Sequence, residues 1–252
     1  MNKLLPFIFF LLLIIGSCSS TTKLAGTKNY EVKMNLEDKS GKFLVVREGG
    51  MAKDRKHVVS KYRVYSVENG GQKVLEQSIV FSTPGVLKKS IRLLRPERSQ
   101  YKVWFDAKLY QTETSLDKKS KSLVIEMKSP EKQWNGRRTF PFPGGTGVFC
   151  YFTQLVDCVK YTGFIEKAIK AKAGKMPFHV IWDGYPFIQE QYLNINNEPF
   201  AAAVLEYDGQ TNEKDYRFSL NVSGNVIFYL FNESYEYAKI FWPAQGYSLY
   251  HK

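Results

Sequence analysis

Short runs of alternating polar and apolar residues, separated by turn residues, follow one another along most of the chain from residue 30 onward. Residues 31–36 alternate strictly, and alternating runs flank Asn69-Gly70-Gly71 on both sides. Alternation with period two places successive side chains on opposite faces of a strand, and Asn-Gly between two such runs is a strong hairpin signal. Because two-residue turns join antiparallel neighbours, the pattern predicts an antiparallel meander.

About a dozen strands are predicted in hairpin order. The first group lies at 31–36, 43–46, 58–67, 73–81, 91–94, 101–112 and 122–128, with 131–140 as one further candidate. The second group lies at 178–182, 187–195, 200–207, 216–222, 226–231, 235–242 and 247–250.

One segment between these groups has a different period. Residues 141–147 are rich in Pro and Gly, and the apolar positions of 164–173 fall on one helical face. Gly163 is expected to divide the segment into two helices, and Gly174 to end it. We therefore predict a mainly β fold, in which an antiparallel meander forms a curved sheet or open β-barrel with a helical insert near 148–173. Residues 29–252 are expected to form one β-rich domain.

The first seventeen residues have the features of a secretory signal peptide. Lys3 precedes an apolar run at residues 4–15, and small residues follow it. The run is shorter than the roughly 20 residues that a membrane-spanning helix needs. Ile15-Gly16-Ser17-Cys18 resembles the lipobox of bacterial lipoproteins.

This resemblance implies that Cys18 becomes the acylated N-terminus of the mature protein. Several acyl chains anchor a protein firmly, since each buried methylene contributes ~0.8 kcal/mol. Because Ser19 rather than Asp follows the cysteine, the family's sorting logic implies the outer membrane, with the domain facing the periplasm. Residues 18–28 then form the lipidated N-terminus and tether, whose mean reach is roughly 18 Å.

The charge of the chain narrows the expected partners. The sequence has 36 Lys and Arg against 24 Asp and Glu, for a net charge of +12, and the signal segment contributes only Lys3. A basic domain held near a membrane is attracted to anionic head groups. We therefore expect the membrane as partner, through the lipid anchor and a basic surface, and do not expect nucleic acid; no protein partner is indicated.

Cys150 and Cys158 are the two cysteines that remain after lipidation. Outside the cytoplasm such a pair usually forms a disulfide. Eight residues of continuous helix span ~12 Å, which is too far for a disulfide, so pairing requires the helix to begin after Cys150 or to bend. Two buried free thiols are the alternative.

No motif indicates catalysis or a cofactor. His57, His179 and His251 lack metal-ligand spacing, and no nucleophile elbow or His-Glu-x-x-His sequence is present. Glu190 and Glu206 belong to a group of carboxylates in two predicted hairpins that a hydrolase would need to bring together. We predict neither catalytic residues nor a metal site nor a cofactor.

Aromatic residues are abundant, with 18 Phe, 16 Tyr and 4 Trp. A sheet core built from bulky side chains explains most of them. A concave sheet wider than its own side chains fill would instead leave an apolar cavity for an amphiphile. The candidate cavity residues are Trp104, Tyr192, Tyr229, Phe231 and Trp242.

Anchor, meander and insert together resemble the Lol-type carriers and related lipid-binding lipoproteins of the envelope, in architecture and location rather than in motifs. This resemblance implies a non-enzymatic lipoprotein that binds a hydrophobic or lipid-like ligand within its sheet. The first alternative is an interaction protein that docks an envelope protein or an anionic polymer. The second is a hydrolase of envelope components.

Overall fold

The structure, a computed structural model, describes residues 29–67, 73–87, 91–144, 147–192 and 195–251. The strands are β1 (Tyr30–Asp38), β2 (Gly41–Met51), β3 (Val58–Ser66), β4 (Lys73–Leu87), β5 (Ile91–Phe105), β6 (Lys108–Asp117), β7 (Ser122–Lys128), β8 (Gly136–Pro141), β9 (Phe149–Tyr151), β10 (Lys175–Ile181), β11 (Phe200–Gln210), β12 (Tyr216–Val222), β13 (Asn225–Phe231), β14 (Tyr237–Trp242) and β15 (Tyr247–His251). The helices are α1 (Leu155–Thr162), α2 (Phe164–Ala171) and α3 (Phe187–Gln191). The predicted signal peptide (1–17), Cys18, the tether (18–28) and the Asn69-Gly70-Gly71 turn lie outside the described residues.

All of these strands belong to one sheet, in the order β8-β7-β6-β5-β4-β3-β2-β1-β15-β14-β13-β12-β11-β10-β9. Every neighbouring pair is antiparallel except β9 and β10, which are parallel because the chain passes through α1 and α2 between them. Strand β1 pairs with β15, so the first and last strands lie side by side at the centre of the sheet. The predicted fold class, a mainly β open sheet with a short helical insert, is confirmed.

The sheet curves around the chain segment from β9 to α3. Fifteen flat strands would span about 67 Å at ~4.8 Å per pair. Yet the Tyr185 carbonyl accepts a hydrogen bond from Thr112 on β6, and Tyr192, just after α3, stacks on Trp242 of β14. Only a curved sheet brings strands so far apart in the order to one segment. We call residues 149–174 and 182–192 together the insert. We call the face of the sheet that is turned toward the insert the concave face.

The two ends of the sheet are named here after the ends of β1. At the Tyr30 end lie the connections at 52–57, 118–121, 211–215 and 232–236, together with the paired residues Leu87 and Ile91 of β4 and β5. At the Asp38 end lie the connections at 39–40, 106–107, 223–224 and 243–246, and the segment from Trp182 to Pro199. Helices α1 and α2 therefore approach the Tyr30 end, whereas α3 covers the Asp38 end.

The helical insert is shorter than the predicted 148–173. Residues 149–151 form β9, and a 3-10 turn at Phe152–Gln154 leads into α1. Gly163, with φ 73°, separates α1 from α2 as predicted. Gly174, with φ 149°, follows the end of α2.

Three predicted strands are wrong in detail. The run 101–112 is two strands, because Asp106 and Ala107 adopt φ values of 47° and 63° and form a tight hairpin turn. The run 187–195 is not a strand: it begins as α3, whose Phe187 packs between the rings of Tyr110 and Trp134. The run 131–140 is a 3-10 turn at Lys132–Trp134 followed by β8.

None of the helices in the described part of the chain combines the length and the apolar character that a membrane crossing by helix requires.

Candidate ligand-binding site

Buried hydroxyl groups on the concave face hold α1 in place. Ser82 Oγ donates to Gln154 Oε1 at 2.7 Å, and Gln154 Nε2 donates to Ser60 Oγ at 3.0 Å. Ser60 Oγ in turn donates to Asp157 Oδ2 at 2.8 Å. These directional bonds connect β3 and β4 to the start of α1, so they set the position of the helix along the sheet.

A second set of buried hydrogen bonds holds the segment at the Asp38 end. The Asp183 carboxylate accepts from Ser78 Oγ and, at 2.6 Å, from Thr153 Oγ1. Tyr151 Oη and Thr114 Oγ1 lie 2.7 Å apart. The insert is thereby attached to β4 and β6, and most of the space beneath the sheet is filled.

The space that remains inside is a small inner cavity of about 50 Å³. Its lining combines strands from both halves of the sheet, including Tyr62, Tyr229, Trp242 and Tyr247. An engineered cavity that binds benzene measures about 150 Å³, so the inner cavity alone holds a few water molecules and not an acyl chain.

An outer recess of about 310 Å³ adjoins the inner cavity at the Asp38 end. Trp104, Phe43 and Leu36 are among its apolar lining residues. Glu76 and Tyr192 line both the outer recess and the inner cavity. These two side chains therefore lie between the two spaces, at a position that we call the constriction.

A third space, which we call the Arg47 recess, adjoins the inner cavity from the Tyr30 end. It measures about 380 Å³, and its lining includes Tyr30, Asp157 and Tyr237. Arg47 and Val156 line both this recess and the inner cavity. The outer recess, the inner cavity and the Arg47 recess thus lie in line between the two ends of the sheet, and we call the three together the passage.

The constriction at the Asp38 end contains a carboxyl group with an unusual proton affinity. Burial raises the pKa of Glu76 to about 7; a hydrogen bond from Tyr101 opposes this increase, and the charge of Asp183 adds to it. Burial also raises the pKa of Asp183, although Ser78 and Thr153 donate to it. Near pH 7 the Glu76 carboxyl is therefore partly protonated, and the constriction carries less negative charge than an ordinary carboxylate would give it.

No family model, no curated protein and no solved structure matches this chain. The chemistry of the passage must therefore be derived from its own residues.

The passage brings together four of the five aromatic residues that were predicted to line a cavity. Tyr192, Tyr229 and Trp242 line the inner cavity, and Trp104 and Tyr192 line the outer recess. Phe231 lines none of the three spaces and is fully buried, with its ring centroid 5.5 Å from that of Phe218.

Cys150 and Cys158 form a disulfide, with their Cα atoms 5.9 Å apart. This pairing is possible because Cys150 lies in β9 and only Cys158 is helical. The bond ties β9 to α1, so it stabilises the insert at the point where the chain leaves the sheet.

The residues considered for catalysis are dispersed. Glu190 is exposed beside the Asp38 end, whereas Glu206 forms an ion pair with Lys175 at 3.0 Å where β10 begins, at the Tyr30 end. His57 lies between Asp54 and Glu97, with ring nitrogens 2.5 and 3.1 Å from their carboxylates. Within the described ranges, no three His, Cys, Asp or Glu side chains are grouped as metal ligands.

The sequence analysis missed the buried charged residues of the passage, Arg47, Glu76 and Asp157. Arg47 carried a detectable signal, because it continues the inward positions Phe43 and Val45 of β2. Inward and outward positions continue to alternate through this part of β2, and a charged residue falls on an inward position. Such a pattern indicates either that the strand ends there or that a polar site is buried there.

Proposed function

We propose that this chain is a non-enzymatic lipoprotein of the outer membrane, facing the periplasm, which binds an amphiphile in its passage. The observation that carries the proposal is the alignment of the three spaces, which share Glu76 and Tyr192 as lining residues at one side and Arg47 and Val156 at the other. The two recesses are at the lower limit of the ~300–1,000 Å³ typical of ligand pockets. Because the inner cavity is narrow, a long acyl chain requires Tyr192 to move away from Trp242.

The distribution of charge supports a membrane partner. At the Tyr30 end of β2 to β7, residues 52–57, 91–97 and 117–121 contain eight Lys or Arg and three Asp or Glu, whereas the connections 211–215 and 232–236 at the same end contain one Lys and four Asp or Glu. At the Asp38 end, residues 38–42, 105–108 and 129–135 contain four basic and three acidic residues. Val86 of β4 and Ile91 of β5 are also exposed at the Tyr30 end. Basic residues around these exposed apolar side chains suit an anionic membrane surface.

A second candidate function is the docking of a protein or an anionic polymer. The filled concave face favours it, because the insert leaves little internal volume for a ligand. The same basic part of the Tyr30 end, at β2 to β7, would then be the contact surface. The hydrolase alternative gains no support from a pair of Glu190 and Glu206, which lie at opposite ends of the sheet.

The test of ligand binding combines extraction with a variant that blocks the passage. Organic extracts of the purified protein are analysed by mass spectrometry for amphiphiles, and the binding of dodecanol is followed by tryptophan fluorescence. Val156→Phe places a larger side chain at a position that lines both the inner cavity and the Arg47 recess, and it should weaken dodecanol binding at least ~10-fold. Val226→Phe, at an exposed position on the outer face, is the matched control and should change nothing.

The amphiphile proposal fails if the extracts contain no amphiphile and dodecanol neither binds nor changes the melting temperature. Retained affinity for anionic polymer or for an envelope protein would then favour the docking function. Equal dodecanol affinity in Val156→Phe and the native protein would place binding elsewhere than in the passage.

A further inference from the structure

The Arg47 recess is lined by a buried cation and by a tyrosine whose hydroxyl group has no hydrogen-bond partner. The Arg47 side chain is 8 % exposed, and its Cζ lies 5.2 Å from the centroid of the Tyr237 ring. A guanidinium remains charged at every physiological pH and offers five N–H donors. Its Nη2 is 3.8 Å from Asp157 Oδ2, which is beyond hydrogen-bond distance. The buried charge is thus close to a carboxylate without a hydrogen bond between these two atoms.

The carboxylate of Asp157 has other donors. Tyr30 Oη donates to Asp157 Oδ2 at 2.7 Å, and Ser60 Oγ donates to the same oxygen at 2.8 Å. Two hydroxyl groups therefore stabilise the Asp157 charge in addition to the nearby guanidinium. Arg47, which lines the recess, can donate to a bound group without leaving Asp157 unsatisfied.

The hydroxyl group of Tyr237 is the second unusual feature. The residue is 7 % exposed, and its buried Oη atom has no hydrogen-bond partner in the structure. A buried polar atom without a partner is costly, and such atoms are few in folded proteins. Burial raises the pKa of Tyr237 well above its ordinary value, so the hydroxyl keeps its proton and acts as a donor.

The charges around the recess limit the kind of ligand. Arg47 and Lys160 carry positive charge, and Asp157 and Glu236 carry negative charge. Lys160 Nζ already pairs with Glu236 Oε2 at 2.8 Å near the surface. A group with one negative charge and two acceptor oxygens matches the donors of Arg47 and Tyr237, whereas a dianion would face the two carboxylates at greater cost.

We propose that the Arg47 recess binds the monoanionic head group of an amphiphile, a carboxylate or a phosphodiester, through the Arg47 guanidinium and the Tyr237 hydroxyl. The chain of the ligand then extends past Val156 toward the inner cavity, which Arg47 and Val156 also line. The inference rests on the proposed function and deepens it by naming the class of head group.

The experiment compares head groups on one chain length in the full-length protein. Affinities are measured for dodecanoate, dodecanol and dodecylammonium below their micelle concentrations. Inorganic phosphate and acetate serve as anions without a chain. Dodecanoate should bind at least ~10-fold more tightly than dodecanol, because a hydrogen bond to a charged group is worth about one order of magnitude in affinity. Dodecylammonium should bind more weakly than dodecanol.

The Tyr237→Phe variant separates the head-group site from a structural role. Because the hydroxyl has no partner in the structure, its removal should not lower the melting temperature. Dodecanoate affinity should fall about 10-fold while dodecanol affinity stays unchanged. Tyr216→Phe, whose ring lies beside Tyr235 outside the recess, is the matched control and should affect neither ligand.

The Arg47→Gln variant should abolish the preference for dodecanoate, but it also removes the cation beside Asp157 and so risks misfolding. The Tyr237→Phe result decides the matter if Arg47→Gln does not fold. Equal affinities for all three head groups, unaffected by Tyr237→Phe, overturn the head-group site and leave the proposed ligand binding intact. Binding of phosphate or acetate that depends on Tyr237, without binding of any dodecyl compound, keeps the anion site and rejects the amphiphile. No binding of any probe rejects both.

Discussion

Strands β3 to β6 and strands β11 to β15 face the same insert with different side chains. In the first group, which we call the hydroxyl half, small polar side chains are buried on the concave face: Ser60, Ser78, Ser82, Ser99, Thr112 and Thr114. In the second group, which we call the aromatic half, large apolar side chains take the same positions: Phe218, Tyr229, Phe231, Trp242 and Tyr247. Hydrogen bonds depend on direction, whereas apolar burial does not.

The two halves therefore contribute to the structure in two different ways. The hydroxyl half sets the position of the insert through defined donors and acceptors, such as Ser82 on Gln154. The aromatic half contributes apolar burial through large side chains such as Phe218, Phe231 and Trp242, and the free energy of this burial scales with apolar area. The passage lies between the two halves. Its inner cavity is lined by Tyr62 and Glu76 from the hydroxyl half and by Trp242 and Tyr247 from the aromatic half.

The largest expected effect is the loss of a ring in the aromatic half. Phe231→Ala should lower the free energy of unfolding by about 3–5 kcal/mol, because the side chain is fully buried against Phe218. Urea unfolding monitored by circular dichroism measures this change. The matched control is Phe241→Ala, since Phe241 is 40 % exposed and should contribute less than ~1 kcal/mol. Similar losses in the two variants would contradict the assignment of burial energy to the concave face.

The next largest expected effect is an increase in the free energy of unfolding when Glu76 is replaced, and this increase depends on pH. The folded chain raises the pKa of Glu76 from 4.5 to about 7, so it binds the proton more tightly than the unfolded chain does. The contribution of Glu76 to folding therefore decreases as pH rises from about 4.5 to about 7. Glu76→Gln should increase the unfolding free energy on the order of 3 kcal/mol at pH 8 and change it little at pH 4.

Urea unfolding at both pH values tests this prediction, with the exposed Glu113→Gln on β6 as the matched control. The expected signature is a difference between Glu76→Gln and the native chain that grows with pH, while Glu113→Gln shows none. A pH-independent difference would mean that the Glu76 carboxyl keeps an ordinary pKa in the folded chain.

Removal of the disulfide tests whether the stability of the insert depends on a covalent bond as well as on its contacts with the hydroxyl half and the aromatic half. Replacing Cys150 and Cys158 together by Ala should lower the unfolding free energy by roughly 2–3 kcal/mol, the value expected for a loop of this length. Dithiothreitol should produce a comparable loss in the native chain and no further loss in the double variant. An unchanged stability on reduction would show that hydrogen bonds and packing alone hold β9 against α1.

The sequence predicted the strand-rich architecture because turn residues and alternation are local signals. It predicted the division of the helices at Gly163 for the same reason. It did not predict α3, because the five residues of this helix are too few to show a helical period and Phe187 is held by contacts with Tyr110 and Trp134.

The hydroxyl half was also hidden from sequence analysis. In β4 the apolar residues Ile79 and Phe81 occupy outward positions, while Glu76, Ser78 and Ser82 point inward together with Val80. Alternation alone would assign the opposite face to the core. The inward polar residues are explained by their hydrogen-bond partners on the insert. Because these partners are distant in sequence, the pattern of β4 alone does not reveal them.

The smallest expected effect concerns a single hydrogen-bonded chain in the hydroxyl half. Ser99 Oγ, Thr114 Oγ1 and Tyr151 Oη are linked by two contacts of 2.7 Å. Tyr151→Phe should lower the unfolding free energy by about 1 kcal/mol, since Thr114 keeps its bond to Ser99.

A double-mutant cycle with Thr114→Val separates this bond from the packing of the Tyr151 ring. The coupling energy should be at least ~0.5 kcal/mol, because the two side chains are in direct contact. Strictly additive effects would mean that the Tyr151 ring is held by packing alone, as the rings of the aromatic half are. The contrast between the halves would then apply to α1, Asp183 and Tyr185 but not to β9. The directional attachment of the insert would come from β3, from β4 and from Thr112 of β6.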